Sequence, residues 1–200
     1  MQDGIDLELD EKLKKKYKNF IVFGFVGVII QNRGLQHFIK LLPELNQTNI
    51  KVVIIGKGKL INTFKNFLKT HNCNEMVDWY DWVDFSKIAT YINNFDVGIT
   101  RLERNAQNDY TTANKLFQYM YLEKPVLTSD SLPMKRIVET LNTGIVFPSN
   151  DSKALKRAVI KLTEDAQLRI ELGKNGRKAV IDIYNWENSS KELLNLYNNV

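Results

Sequence analysis

From residue 20 to residue 147 the sequence does one thing repeatedly. Short runs of β-branched and aromatic residues alternate with longer segments of helical periodicity. The runs fall at 20–26, 51–55, 76–80, 96–100, 125–128 and 144–147, and almost none of them alternates apolar with polar residues. A strand covered by helices on both faces has no solvent side to mark in sequence, so unalternating runs predict a parallel sheet buried on both sides. Between them Leu35, Phe38, Ile39 and Leu42 recur at helical spacing, as do Leu60, Phe64, Phe67 and Leu68, and then Ile88, Tyr91 and Ile92. Each set is one apolar stripe of a helix that covers the sheet. Beyond 147, Asn150 or Asp151 can cap a helix carrying Leu155, Ala158, Val159 and Leu162, and two further helical stretches follow. The expected fold class is α/β: a doubly wound, Rossmann-like, mainly parallel sheet of about six strands, helices on both faces and a helical C-terminal tail.

With 200 residues, 44% hydrophobic and 26% charged, the chain can bury one substantial core, and no Pro-rich linker or internal repeat divides it. The expected domain covers 20–183, with 1–19 as a linker leading into it. The longest apolar run, 20–30, is too short to cross a bilayer and is interrupted by Gly24 and Gly27. The start, Met1-Gln2-Asp3-Gly4, lacks the basic-then-apolar pattern of a secretory leader, and Cys73 is the single cysteine, which excludes an internal disulfide and fits a cytoplasmic setting. An excess of 28 Lys and Arg over 23 Asp and Glu gives +5, a mild bias toward anionic ligands or an anionic membrane surface and too weak to imply nucleic acid. The one dense basic run, Lys12, Lys14, Lys15, Lys16 and Lys18, reads first as a solvated helix face and second as a membrane contact.

Open parallel sheets bind ligands beyond the carboxyl ends of their strands, where helix N-termini offer unpaired N–H groups to anions. Gly24 and Gly27 close the first strand, Gly34 opens the next helix, and Gly56 and Gly58 follow the second strand in Ile55-Gly56-Lys57-Gly58, with Arg33 and Lys57 adding charge. These glycines let backbone approach a diphosphate closely, or they are plain tight turns; G-x-G-x-x-G is absent, so spacing leaves both readings open. The stretch 114–120, Asn114-Lys115-Leu116-Phe117-Gln118-Tyr119-Met120, is sharper. It opens a helix after a polar loop, and Lys115 lies in the first turn, where a cation opposes the macrodipole unless an anion is near. Gln118, three residues on, shares its face and offers an amide to ribose hydroxyls. His37 and His71 lack a partner at metal-ligand spacing and read as structural. No nucleophile triad, zinc pattern or Walker sequence is present.

In order, Asp3-Gly4-Ile5-Asp6, Phe25-Val26-Gly27 with Arg33-Gly34, Ile54-Ile55-Gly56-Lys57-Gly58, Asn94-Phe95-Asp96-Val97-Gly98, the stretch 114–120 with Lys124-Pro125-Val126, and Thr143-Gly144 resemble the C-terminal half of glycosyltransferase family 4 enzymes over nearly the whole chain. The resemblance implies the donor-binding domain of a B-type glycosyltransferase. Such enzymes transfer a sugar from a nucleotide diphosphate donor, with retention and without a metal or other cofactor, to a glycan or lipid-linked acceptor. It implies 1–19 as the interdomain linker, 184–200 as a helix packing toward an acceptor-binding N-terminal domain, and an inner-membrane-face location as one option for the full-length enzyme. Arg33 and Gly34 resemble the basic-Gly pair beside the donor phosphates, and Lys115 the lysine that opens the nucleotide-binding helix. Gln118 stands where the family usually has the ribose-holding glutamate. The partner glutamate falls at Tyr110, and Val28 replaces an arginine, for which Arg101 after the fourth strand is the substitute cation. By resemblance, 76–83 flanks the base, with Trp79 and Trp82 as rim or stacking aromatics. The donor-binding set is thus Gly27, Arg33, Gly34, Gly56, Lys57, Gly58, Arg101, Asn114, Lys115 and Gln118, with the catalytic group unassigned. The substitutions at Val28, Tyr110 and Gln118 also fit a noncatalytic interaction module, and a sugar-nucleotide epimerase is disfavoured because no pair of acid and base carboxylates is visible.

Overall fold

The structure, a computed structural model, describes residues 4–46, 48–100 and 103–198. Its centre is a parallel sheet of β1 (Ile21–Val26), β2 (Ile50–Ile55), β3 (Val77–Tyr80), β4 (Val97–Ile99), β5 (Val126–Ser129) and β6 (Gly144–Phe147), in the order β3-β2-β1-β4-β5-β6. Each strand lies within one residue of the run expected from sequence. The chain builds outward from β1 to β3, crosses back to β4 and builds outward to β6, which leaves a switch point between β1 and β4.

The lack of polar alternation has a direct physical reading. In β2, Val52 and Ile54 enter one hydrophobic core and Val53 and Ile55 the other. Side chains still point to opposite faces with period two, but both faces are dry. The first core is roofed by α2 (Leu35–Leu41), α3 (Ile61–Thr70) and α8 (Ser152–Glu164). The second is roofed by α1 (Leu7–Tyr17), α4 (Phe85–Asn93), α6 (Asn114–Tyr121) and α7 (Leu132–Thr140). The long helix α9 (Ala166–Asp182) gives Leu172 to the first core and Ala179 to the second. It approaches α6 closely because Gly173 and Gly176 face Glu123 and Met120, where a Cβ would lie 2.1 Å from the Glu123 carbonyl oxygen. Burying each large apolar side chain contributes about 1.5–3 kcal/mol, and three phenylalanines, Phe23, Phe25 and Phe38, are almost wholly enclosed.

Two expectations change. Gly24 is a mid-strand packing residue, not part of the carboxyl edge: a Cβ there would lie 2.0 Å from the Phe95 ring. The polar loop before residue 114 contains a short helix, α5 (Ala106–Tyr110), started by the Asn105 side chain accepting from the Asn108 amide at 2.9 Å. The basic run is a solvated face as expected, with all five lysines exposed, and two of them also form ion pairs, Lys16 with Asp78 at 2.7 Å and Lys14 with Asp10 at 2.7 Å. Burial alone would raise the Asp78 carboxyl, but hydrogen bonds from Lys16, Lys51 and Tyr17 outweigh it and hold its pKa below the usual carboxylate value. Helix α1 is capped by Asp6, whose carboxylate accepts from the Leu9 amide. It buries Leu13 and Tyr17 against the second core. The last helix, α10 (Trp186–Asn198), leaves Trp186, Leu193, Leu194, Leu196 and Tyr197 exposed. Among the described residues no helix is long and apolar enough to cross a membrane.

Candidate functional site

At the switch point β1 and β4 pair only through Phe23 with Val97 and Gly24 with Gly98, then diverge. The gap is bridged by the side chain of Tyr119 from α6. Its hydroxyl accepts from the Val26 amide at 3.1 Å and donates to the Ile99 carbonyl at 3.4 Å. The ring lies where Gly98 has no side chain; a Cβ on Gly98 would sit 2.3 Å from it. Tyr119 is fully enclosed, and burial pushes its hydroxyl pKa well above the ordinary value, so it stays a neutral donor. Sequence reasoning placed Tyr119 within the key stretch but gave it no role. A hydroxyl in an otherwise apolar helix face was the available signal.

Above this bridge the strand ends turn outward. Gly27 takes φ +141°, a conformation that side chains rarely tolerate, and its amide donates to the Ile55 carbonyl at 2.8 Å. On its open side stands Lys115: a Cβ at Gly27 would be 2.7 Å from the Lys115 Nζ, and that ammonium also lies 3.9 Å from the centroid of the Phe25 ring. The structure therefore brings Gly27 and Lys115 together. Gly56 and Gly58 serve loop packing, since a Cβ on either would fall 2.0 Å from a backbone oxygen, of Gly27 and Ile29 respectively. Lys57 borders an open depression of about 420 Å3 together with Gly58, Lys59, Asn62, Lys65 and Asp81.

The helix starts divide by position. Helices α4 and α8, which follow the edge strands β3 and β6, are capped by the carboxylates of Asp84 and Asp151. Helices α2 and α3, which follow β1 and β2, start at Gly34 and Leu60 without a side-chain cap. The same holds for α6, starting at Ala113, and for α7, which follows β5 and starts at Ser131. None of these four carries an acidic residue in its first turn. Each helix N-terminus holds roughly half a positive charge on N–H groups that its own helix cannot pair. Four uncapped starts thus border the centre of the carboxyl edge, an arrangement suited to an anion. Two wholly buried hydroxyls in the same region, Thr100 Oγ1 just past β4 and Ser131 Oγ past β5, have no hydrogen-bond partner among the described residues. Neither had been singled out from sequence.

Arg33 ends a 3-10 turn, Gln31–Arg33, and Gly34 follows with φ +76° as the N-cap of α2. The Arg33 side chain is half-buried and makes no hydrogen bond or ion pair among the described residues. The turn is held from across the cleft. The carbonyl of Asn32 accepts from Asn108 Nδ2 at 2.9 Å and from Asn105 Nδ2 at 3.1 Å, and Asn108 Nδ2 also donates to the Glu103 carbonyl at 2.7 Å. Asn108 is fully buried, and Glu103 in turn accepts from Gln36 Nε2 at 2.6 Å. The segment between β4 and α6 is thereby tied to the segment between β1 and α2. This network was invisible in the sequence, where Asn105 and Asn108 look like ordinary loop residues.

Of the remaining expected site residues, Asn114 is exposed at the first position of α6, and Gln118 is half-buried one turn further on, on the side of Lys115. Arg101 lies outside the described residues. Val28 and Tyr110 are exposed, 56% and 85%. Trp79 is partly buried beneath the Lys65 ammonium, whereas Trp82 is exposed. His37 does face a carboxylate, with Nε2 3.6 Å from Glu103 Oε2, while His71 stacks on Phe67. Among the described residues no three His, Cys, Asp or Glu side chains gather as metal ligands.

The comparison with known proteins converges on one family. Residues 7–179 match the family model described as glycosyl transferases group 1. The capsular polysaccharide biosynthesis glycosyltransferase CapM of Staphylococcus aureus is 26% identical over 196 residues, covering 96% of this chain and 49% of its own length. The chain spans about half the length of the curated relatives it matches. Among solved structures, Anabaena Alr3699/HepE in complex with UDP superposes with a TM-score of 0.84 at 13% identity, over 96% of this chain and 52% of that one. The C-terminal domain of a group 1 glycosyl transferase, LpcC of Francisella tularensis, gives 0.75 at 16% identity, over 92% of this chain and 97% of that one. On the strength of the family match, this chain belongs to the group 1 glycosyl transferases.

Proposed function

We propose that this chain is the donor-binding half of a retaining glycosyltransferase, and that it holds the diphosphate of a nucleotide sugar at the centre of the carboxyl edge. The observation that carries this reading is the contact of Lys115 with the open side of Gly27, inside a ring of four uncapped helix starts. When the anomeric carbon–oxygen bond of the donor breaks, negative charge collects on the departing diphosphate, and fixed positive charge there lowers the barrier. Lys115 beside Gly27 and the first amides of α2 after Gly34 are the groups for that task, with Arg33 as the second cation and Arg101 as a further one. Gln118, on the Lys115 side of α6, is the group for the ribose hydroxyls, through an amide in place of a carboxylate. The UDP bound by the Anabaena neighbour supports a nucleoside diphosphate as the ligand class.

The acceptor, a glycan or lipid-linked sugar, belongs in this reading to a second domain, and residues 1–19 and 184–200 connect to it. The exposed apolar residues of α10 support that role. The test is calorimetric titration of the chain with UDP, GDP and ADP. Saturable binding of one of them, lost on Lys115→Ala with the fold intact, is the expected result; no binding by any of the three refutes the reading.

One feature favours a noncatalytic module instead. At Tyr110, where the family resemblance expects a glutamate, the side chain is aromatic and exposed, and the nearby carboxylate of Glu103 is engaged by Gln36. That reading predicts no melting shift with any of the three nucleotides, whereas a ligand at a hundred times its dissociation constant adds about 2.7 kcal/mol.

A further inference from the structure

The charge of this chain is not spread evenly. The helical layer over the first core, made of α2, the 3-10 turn Leu42–Leu45, α3 and α8, carries seven cations against the two carboxylates of Glu44 and Glu164, a net charge of +5. The whole chain is also +5, so everything else sums to zero. Lys40, Lys65, Lys69, Lys153, Arg157 and Lys161 are all exposed, and Lys156 pairs with Glu44 at 2.8 Å. Lys153, Arg157 and Lys161 follow one another at i, i+4 and i+8, a line of about 12 Å along one side of α8. None of these three forms an ion pair among the described residues. No exposed large hydrophobic residue lies on α2, α3 or α8, so this surface has nothing to insert into an apolar partner.

We infer that the α2–α3–α8 face is an electrostatic docking surface for a bilayer rich in anionic lipid. Six of its seven cations are lysines. A lysine ammonium is a compact, strongly hydrated point charge suited to diffuse attraction by a charged plane, whereas reading individual phosphates favours the planar fork of arginine. The absence of exposed aromatic rings on these helices removes the stacking platform that single-stranded nucleic acid uses. A charged plane also matches the shape of the feature, since its cations are distributed over three helices of one layer, and of them only Lys65 borders the depression shared with Lys57 and Lys59. The uncapped helix starts lie at the carboxyl edge, so a domain seated on its helical layer leaves that edge open from the side. This surface is independent of the donor site and stands whether or not nucleotide binds.

The test uses the chain with vesicles of phosphatidylcholine alone and with about one third phosphatidylglycerol, by co-sedimentation at low salt and at ~0.5 M NaCl. Binding is expected only to the anionic vesicles and only at low salt. The triple variant K153Q/R157Q/K161Q is expected to partition on the order of 100-fold more weakly, about five-fold for each cation removed, which corresponds to about 1 kcal/mol apiece. The matched variant K12Q/K15Q/K18Q removes the same charge from α1 and its C-cap, where these lysines are exposed on the other side of the sheet, and is expected to bind within a few-fold of wild type. Circular dichroism and thermal melting establish that both variants are folded. Equal losses in the two triple variants would show that total charge governs binding and would overturn the assignment to this face. So would undiminished binding by the α8 variant, no binding to anionic vesicles, or at least ten-fold tighter binding of single-stranded DNA at equal phosphate concentration.

Discussion

Replacing Lys115 by methionine, which keeps the length and most of the volume of the side chain, isolates the contribution of its charge to nucleotide binding. The ammonium lies where a Cβ on Gly27 would almost touch it, so a phosphate seated against the open side of Gly27 falls within about 4 Å of a unit positive charge. At an effective dielectric constant of about 20 that pair is worth about 4 kcal/mol before desolvation and screening. Lys115 is half-buried, so part of this is lost to solvent. Deletion of one hydrogen-bonded charge leaves a net effect of about 1.5–3 kcal/mol. The dissociation constant for the nucleoside diphosphate that binds best should therefore rise between about 10- and 150-fold, read by calorimetry at fixed ionic strength. Lys115→Arg, which keeps the charge but changes its geometry, should fall between the two. An affinity within three-fold of wild type for Lys115→Met would refute the placement of the diphosphate beside Gly27.

Three further outcomes are expected. Tyr119→Phe leaves the Val26 amide and the Ile99 carbonyl without their shared partner in the core, and should cost about 1–3 kcal/mol, lowering the melting temperature by about 3–10 °C; an unchanged midpoint would dismiss the bridge. Asn108→Ala cuts the ties to Asn32 and Glu103 and should destabilise by about 2 kcal/mol while weakening nucleotide binding several-fold, with Asn108→Asp no better because a carboxylate cannot donate; calorimetry showing wild-type affinity in both would separate this network from the site. The Asp78 carboxyl has a folded-state pKa held below its unfolded value, so its stabilisation is complete above the unfolded pKa and disappears as pH falls through the folded one. Denaturation midpoints should therefore decline below about pH 4, and the decline should be shallower in Asp78→Asn.

Most of the fold was legible because it rests on local pattern. Val52 to Ile55 read as a doubly buried strand from residue type alone, and Leu35, Phe38 and Ile39 read as one helix face, since period and apolarity report burial wherever the neighbours are generic. The Gly27–Lys115 pairing was legible as a location, carboxyl edge and first helical turn, and the structure supplied the proximity. What escaped depended on long-range chemistry. Asn108 reaches Asn32 across 76 positions and Tyr119 reaches Val26 across 93, and nothing in the residues between them encodes either meeting. Gly24 misled for a related reason: a glycine that admits a distant ring, here Phe95, is spelled like one that admits a phosphate. The short helix α5 was missed because its five residues, Ala-Gln-Asn-Asp-Tyr, carry no apolar periodicity, only the Asn105 cap that starts them.

The tyrosine bridge also limits how this domain can move. Lys115 sits four residues before Tyr119 on the same rigid helix, and Tyr119 is fastened to the ends of two central strands. The backbone that carries the cation is thus mounted on the sheet itself and does not travel toward an arriving ligand as a loop would. In the donor-binding reading, recognition is selection by a mould already set, and any later narrowing of the cleft must carry the whole slab, strands and grip together, as one piece.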